Sequence, residues 1–156
     1  MTTFVAPPLP HIATAADLAG ADLLTLSNLS PKAILQLFET AAASKADITP
    51  FRRVLDAKSA ALLFEKPSLR TKMSFEVGIA KLGGHPIFMD HGSARLGSRE
   101  SVRDYGKNLE RWVDCIVARV YLQTALEELA DAARCPVINA LSDRFHPCQG
   151  LADLFT

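Results

Sequence analysis

Ser59-Ala60-Ala61-Leu62-Leu63-Phe64-Glu65-Lys66-Pro67-Ser68-Leu69-Arg70-Thr71-Lys72 passes from a short apolar run into a turn crowded with hydroxyls and cations. The run predicts a buried strand, and the Pro-Ser turn after it predicts a loop that gives way to a helix. Such a junction aims several free backbone N–H groups at one point, where the helix dipole favours an anion. Ser68 and Thr71 add hydroxyl donors, and Arg70 and Lys72 add positive charge, so a small dianion could be held there by short charge-assisted bonds. The same residues also fit an ordinary capped helix with solvated basic side chains.

Outward from this stretch the pattern repeats. Pro86–Met89, Cys115–Val120 and Pro136–Asn139 are further strand-like runs, each followed by a loop and a helix-like segment. With Ser59–Phe64 they predict an α/β domain: a four-stranded parallel sheet with helices on both faces. Val102, Tyr105, Leu109 and Trp112 recur at helical spacing, as do Leu126, Leu129, Ala130 and Ala133. Ser30-Pro31 starts an earlier helix, with Ile34, Leu35, Phe38, Ala41 and Ala42 as its expected buried stripe. Met73, Phe75, Val77 and Ile79 alternate with period two and by themselves suggest a strand, but parallel neighbours need a crossover, so a helix ending at Gly83-Gly84 is expected. Pro7, Pro8, Pro10 and a small-residue stretch predict a loose tail over residues 1–22, leaving 23–156 as the domain. In sheets of this kind ligands gather at the carboxyl ends of the strands, where the polar loops lie.

Composition narrows the class. A chain of 156 residues can bury about two-thirds of its surface and form a proper core. Its 17 basic and 17 acidic side chains balance, which argues against a nucleic-acid or anionic-membrane partner. No Lys or Arg precedes Lys32 and no long apolar run occurs, so neither a targeting peptide nor a membrane span is expected. Cys115, Cys135 and Cys148 lack metal-site spacing and suit a reducing cytoplasm, and no metal or other cofactor is expected.

Two motifs carry a resemblance. Ser68-Leu69-Arg70-Thr71 with Ser74-Phe75-Glu76, and later Leu141-Ser142-Asp143 running through His146-Pro147-Cys148-Gln149 to Leu151-Ala152-Asp153, resemble the carbamoyl-phosphate domain of the aspartate/ornithine carbamoyltransferases. The context of the second motif is more similar to the ornithine enzymes, and the resemblance runs from Leu24 to Thr156. It supports the helix after the first loop. It implies that Ser68, Arg70, Thr71 and the backbone N–H groups of Leu69 and Thr71 hold the phosphate of carbamoyl phosphate. Arg119 matches the arginine that bridges phosphate and carbonyl, His146 the donor to the carbonyl oxygen, and Gln149 the residue that holds the amide. Arg70, Arg119 and His146 are thus the implied catalytic residues, and the implied reaction carbamoylates the side-chain amine of ornithine, giving citrulline and phosphate. The resemblance also implies a homotrimer in which Arg95 reaches the site of the neighbouring subunit.

Each assignment has a plainer competitor. His146 could be a structural histidine, Arg119 a strand-end residue in a surface ion pair, and the loop of Arg95 a flexible basic segment. Cys148 has no paired base in view and is read as packing, while His85 and His91 carry no motif. Leu69 stands where the ornithine enzymes usually carry Thr, and the same spelling occurs in relatives acting on N-acylated ornithine, so that acceptor is the alternative, as is a non-catalytic phosphate-binding or assembly module. Lys72 replaces a second arginine and loses its planar fork, and Asp104-Tyr105-Gly106-Lys107 departs from the family run. The amine-binding second domain of the family is not in these residues, which suggests a truncated form or gene fragment, inactive alone.

Overall fold

The structure, a computed structural model, describes residues 18–27 and 29–156, so residues 1–17 of the expected tail lie outside the described residues. The strands are β1 (Ser59–Phe64), β2 (His85–Asp90), β3 (Cys115–Arg119) and β4 (Val137–Leu141), and the helices α1 (Pro31–Ala46), α2 (Leu69–Lys81), α3 (Val102–Leu109), α4 (Gln123–Ala132) and α5 (Pro147–Phe155). The strands form one sheet in the order β2-β1-β3-β4, and every neighbouring pair is parallel. β1 spans the residues expected. β4 begins one residue late because Pro136 has no N–H for the ladder, although its carbonyl still accepts from Ile116 N at 2.9 Å.

Alternation along the strands divides the core in two. Ala61, Leu63, Ile116, Ala118 and Val137 face α3 and α4, packing with Val102, Leu109, Leu126 and Leu129. Leu62, Phe64, Val117 and Ala140 face the other way, against Phe75 and Ile79 of α2. Burial on both faces explains why β1 is a continuous apolar run. α3 and α4 come close at Gly106, where a Cβ would lie 3.2 Å from Ala132 Cβ and Leu129 Cδ1.

The period-two stretch is a helix after all. Phe75 and Ile79, four residues apart, face the sheet, while Met73 and Val77 are 47% and 40% exposed. Ser68 caps it, accepting from Thr71 N at 3.3 Å, and Gly83 closes it with φ +91°, in a place where a Cβ would come 2.6 Å from Arg52 O.

Two expectations need correction. The stripe assigned to α1 is buried only in part: Leu35 is 61% exposed and Ala42 is exposed, Ile34, Phe38 and Ala41 are half-buried, and Ala33 is the fully buried residue. The helix packs against the 3-10 turn Thr49–Phe51 and the end of α5, where Phe38 meets Phe155 at 5.4 Å, so Phe38 faces inward as expected while Leu35 turns outward. Trp112 lies beyond the end of α3 and is 72% exposed, because the helix stops at Leu109.

The outer side of β4 is covered by the start of the described chain. Leu23 N donates to Val137 O and Asn139 N to Leu23 O, each at 2.9 Å, and Val137 N donates to the Asp22 carboxylate at 2.7 Å.

Candidate functional site

After β1 the chain moves outward to β2, then returns past β1 to place β3 on its other side, so the loops leaving β1 and β3 diverge and open a crevice at the carboxyl edge. The register pairs Phe64 with Arg119, which puts that arginine beside the point where the Pro67-Ser68 turn begins. A one-residue slip between β3 and β4 follows, with Ala118 opposite Asn139 and Arg119 opposite Leu141. The crevice holds a cavity of about 620 Å³, and Ser68, Arg70, Thr71, Arg119, His146 and Gln149 all line it.

The cavity is electropositive. No acidic residue occupies the first turn of α2, whose N-terminus opens here. Arg70 is exposed at the mouth, whereas Arg119 is half-buried and burial pushes its guanidinium downward, though it stays cationic. Its Nη1 reaches Thr71 Oγ1 at a long 3.5 Å, and its Nε is buried with no partner among the described residues. His146 stands before Pro147 at the start of α5, and its Nδ1 is likewise buried without a partner. Burial first, and then the charge of Arg119, hold its imidazole below the ordinary value, with Asp153 opposing in part. Gln149 donates from Nε2 to Asp153 Oδ1 at 2.7 Å.

Other predicted residues behave differently. The Leu69 side chain is 79% exposed and does not line the cavity, which leaves its backbone as the only contribution the sequence reading assigned to it. Lys72 sits with Nζ 3.7 Å from the Phe88 ring centre, a cation–π contact away from the cavity. Arg95 lines a second hollow of about 770 Å³ past β2, with its guanidinium 4.4 Å from the Tyr121 ring centre. His91 is in that hollow too, and its Nε2 lies 2.6 Å from the Tyr105 hydroxyl, whose pKa burial pushes up to about 12.

Ser74, Phe75 and Cys148, which the sequence placed in the two motifs without a role at the site, also line the cavity. Burial raises the Cys148 thiol to about 11 and its Sγ lies 3.4 Å from Asn139 O, so it packs as a protonated thiol, as expected. A buried polar network holds the loop that carries His146. Ser142 Oγ donates to Gln123 Oε1 at 2.6 Å, Ser142 N to Phe145 O at 3.0 Å, and Asn139 Nδ2 to Leu24 O at 2.8 Å, with Phe145 O at 3.3 Å. Glu65 is 3% exposed, and its two oxygens accept from Leu96 N at 2.7 Å and Tyr121 N at 2.6 Å. The available signal was the placement of charged or amide residues at strand ends, where a solvated role is the usual reading.

Taken together, a helix N-terminus, three hydroxyls, two guanidiniums and an imidazole biased toward neutrality surround one space. That set can hold a dianion and, beside it, offer donors to an oxygen that gains negative charge.

Residues 21–156 match the family described as "Aspartate/ornithine carbamoyltransferase, carbamoyl-P binding domain". The chain is similar to the ornithine carbamoyltransferase of Shewanella oneidensis, at 50% identity over 133 residues, covering 85% of this chain and 44% of that protein. It is 48% identical over 134 residues to that of Methanocaldococcus jannaschii, covering 86% and 44%. Among solved structures, ornithine carbamoyltransferase from Pyrococcus furiosus superposes with a TM-score of 0.83 at 43% identity, covering 87% of this chain and 44% of that one. The chain therefore spans about half the length of the relatives it matches.

Proposed function

The chain belongs to the aspartate/ornithine carbamoyltransferase family through its carbamoyl-P binding domain, and on that premise we propose that it is the donor-binding half of an ornithine carbamoyltransferase. Residues 23–156 form that half, and the amine site belongs to a second domain outside these residues. The donor is carbamoyl phosphate, and the reaction moves its carbamoyl group to the side-chain amine of ornithine, giving citrulline and phosphate. Ornithine is preferred over an N-acylated ornithine because the similar proteins are named ornithine carbamoyltransferases.

The observation that carries this reading is the pair of buried, unpartnered polar atoms, Arg119 Nε and His146 Nδ1, on residues lining the cavity beside the N-terminus of α2. Buried polar groups normally have partners, and a carbonyl next to a phosphate would supply acceptors for both side chains. In this reading Ser68, Thr71 and Arg70 hold the phosphate with the backbone N–H of Leu69. The Thr71 N–H, which donates to Ser68 Oγ at 3.3 Å, is shared with it. Arg119 spans phosphate and carbonyl, His146 donates to the carbonyl oxygen as charge builds there, and Gln149 holds the amide. Stabilising that oxygen is worth about 3–4 kcal/mol per well-placed donor. The leaving phosphate is met by Arg70, Arg119 and the helix terminus. Arg95 would serve a neighbouring copy in a homotrimer, and the setting is the cytoplasm. No helix among the described residues is long and apolar enough to cross a membrane.

Calorimetric titration tests the donor site. Saturable binding of carbamoyl phosphate and of inorganic phosphate is expected, while incubation with carbamoyl phosphate and ornithine should yield no citrulline. Absence of saturable donor binding by folded protein would refute the reading, and robust turnover would refute the need for a second domain.

A further inference from the structure

Glu65 is a buried carboxylate for which the proposed reaction has no use. Three loops meet on it. Its own backbone leads from β1 into the Pro67-Ser68 turn, its N–H donates to Arg119 O at 2.9 Å, and its two oxygens take the N–H groups of Leu96 and Tyr121. Leu96 follows Arg95, and Tyr121 lies two residues after Arg119. Neither of the two ion pairs among the described residues, Arg53–Asp56 and Lys58–Asp114, involves Glu65. A buried charge is costly, and here two short bonds to backbone donors offset that cost.

The chemistry of the side chain is specific. Both partners are donors, so both terminal atoms must be acceptors. An amide would satisfy one N–H and turn its own NH₂ toward the other, leaving a buried donor unmatched. Aspartate keeps both acceptors but is one methylene shorter and cannot span the same two positions. The fixed loops also stack side chains: the Arg95 guanidinium and Lys66 Nζ lie 4.4 and 4.8 Å from the centre of the Tyr121 ring.

We propose that Glu65 is a positioning residue that sets Arg119 and the Arg95 loop relative to the phosphate-binding turn by clamping the backbones of Leu96 and Tyr121. This rests on the donor-site reading given above. It implies a reciprocal effect, because whatever the clamp contributes to anion binding, a bound anion must return to the clamp.

Amide hydrogen exchange on the 156-residue chain, read alongside titration with inorganic phosphate, separates the possibilities. In the parent, saturating phosphate should slow exchange at Leu96 and Tyr121, a measurement that needs no variant. Glu65→Gln should speed exchange at those two amides about tenfold while Leu62 and Ile116 keep parental protection, and should raise the phosphate Kd about tenfold. The proposal is overturned if phosphate leaves the two parental amides unchanged, if Glu65→Gln loosens all amides equally, or if the loops loosen while the Kd stays put. Should Glu65→Gln not fold, the parental exchange measurement decides alone. A folded parent that binds no phosphate defeats the donor-site reading itself, and the exchange pattern of Glu65→Gln would then mark the clamp as purely structural.

Discussion

Arg70 and His146 illustrate how differently two residues of one site depend on their surroundings. Arg70 is exposed at the cavity mouth, so its value lies in ligand contact and not in the fold. Arg70→Ala should abolish measurable phosphate binding in calorimetry, and Arg70→Lys should recover part of it, with a loss of about 1.5–3 kcal/mol for the missing forked bonds. The thermal midpoint without phosphate should hardly move. His146 is half-buried, and its pKa lies below the ordinary 6.5 through burial first and the Arg119 charge second. As pH falls, the unfolded chain takes up the proton first. The stability contribution is whole above about pH 6.5 and is lost as pH drops through the lower folded value. Urea unfolding of the parent and of His146→Gln should therefore show the parent losing its relative stability as the pH falls below the ordinary 6.5. A relative gain on acidification would place a carboxylate, and not the cation, in control of this imidazole.

At the scale of elements, the segment from β4 through its loop into α5 is where packing and function depend on the same atoms. Asn139 is fully buried, and its amide binds Leu24 O and Phe145 O, so Asn139→Ala takes that donor from Leu24 O, while Phe145 O keeps the Ser142 N–H. We expect a loss of about 1–3 kcal/mol in urea unfolding, accompanied by weaker phosphate binding as the loop of His146 loosens. Parental affinity in a destabilised Asn139→Ala would show that the network serves the fold alone. Legibility in the sequence followed the same division. β1 was readable because burial on both faces demands an unbroken apolar run, and Ser68 was readable because a cap and an anion site want the same residue. Periodicity left α2 ambiguous because Met73 and Val77 are apolar yet exposed, and the stripe of α1 was right only in part because that helix meets a turn and another helix end. Glu65 and Gln123 were invisible because their partners come from other loops, and no local pattern encodes a contact across the sheet edge.

For the whole molecule, Leu35 and Leu154 stand 61% and 65% exposed on α1 and α5, near the contact of Phe38 with Phe155. In the proposed assembly Arg95 serves another copy, so Arg95→Ala should leave the phosphate Kd of a monomeric sample unchanged, with sedimentation fixing the state of the sample being titrated. A monomer whose affinity falls on that substitution would assign Arg95 to its own site. The sheet also joins distant parts of the chain: Asp22 binds Val137 N and Leu24 O accepts from Asn139, each across 115 positions. During synthesis this makes the earliest part of the sheet the last to be settled. At roughly 5–20 residues per second, Asp22 to Leu24 wait on the order of ten seconds after leaving the ribosome before β4 exists to receive them. Until then β3 has an open side, and the nascent protein depends on the rest of the sheet, not on its own beginning, to stay out of the wrong partnerships.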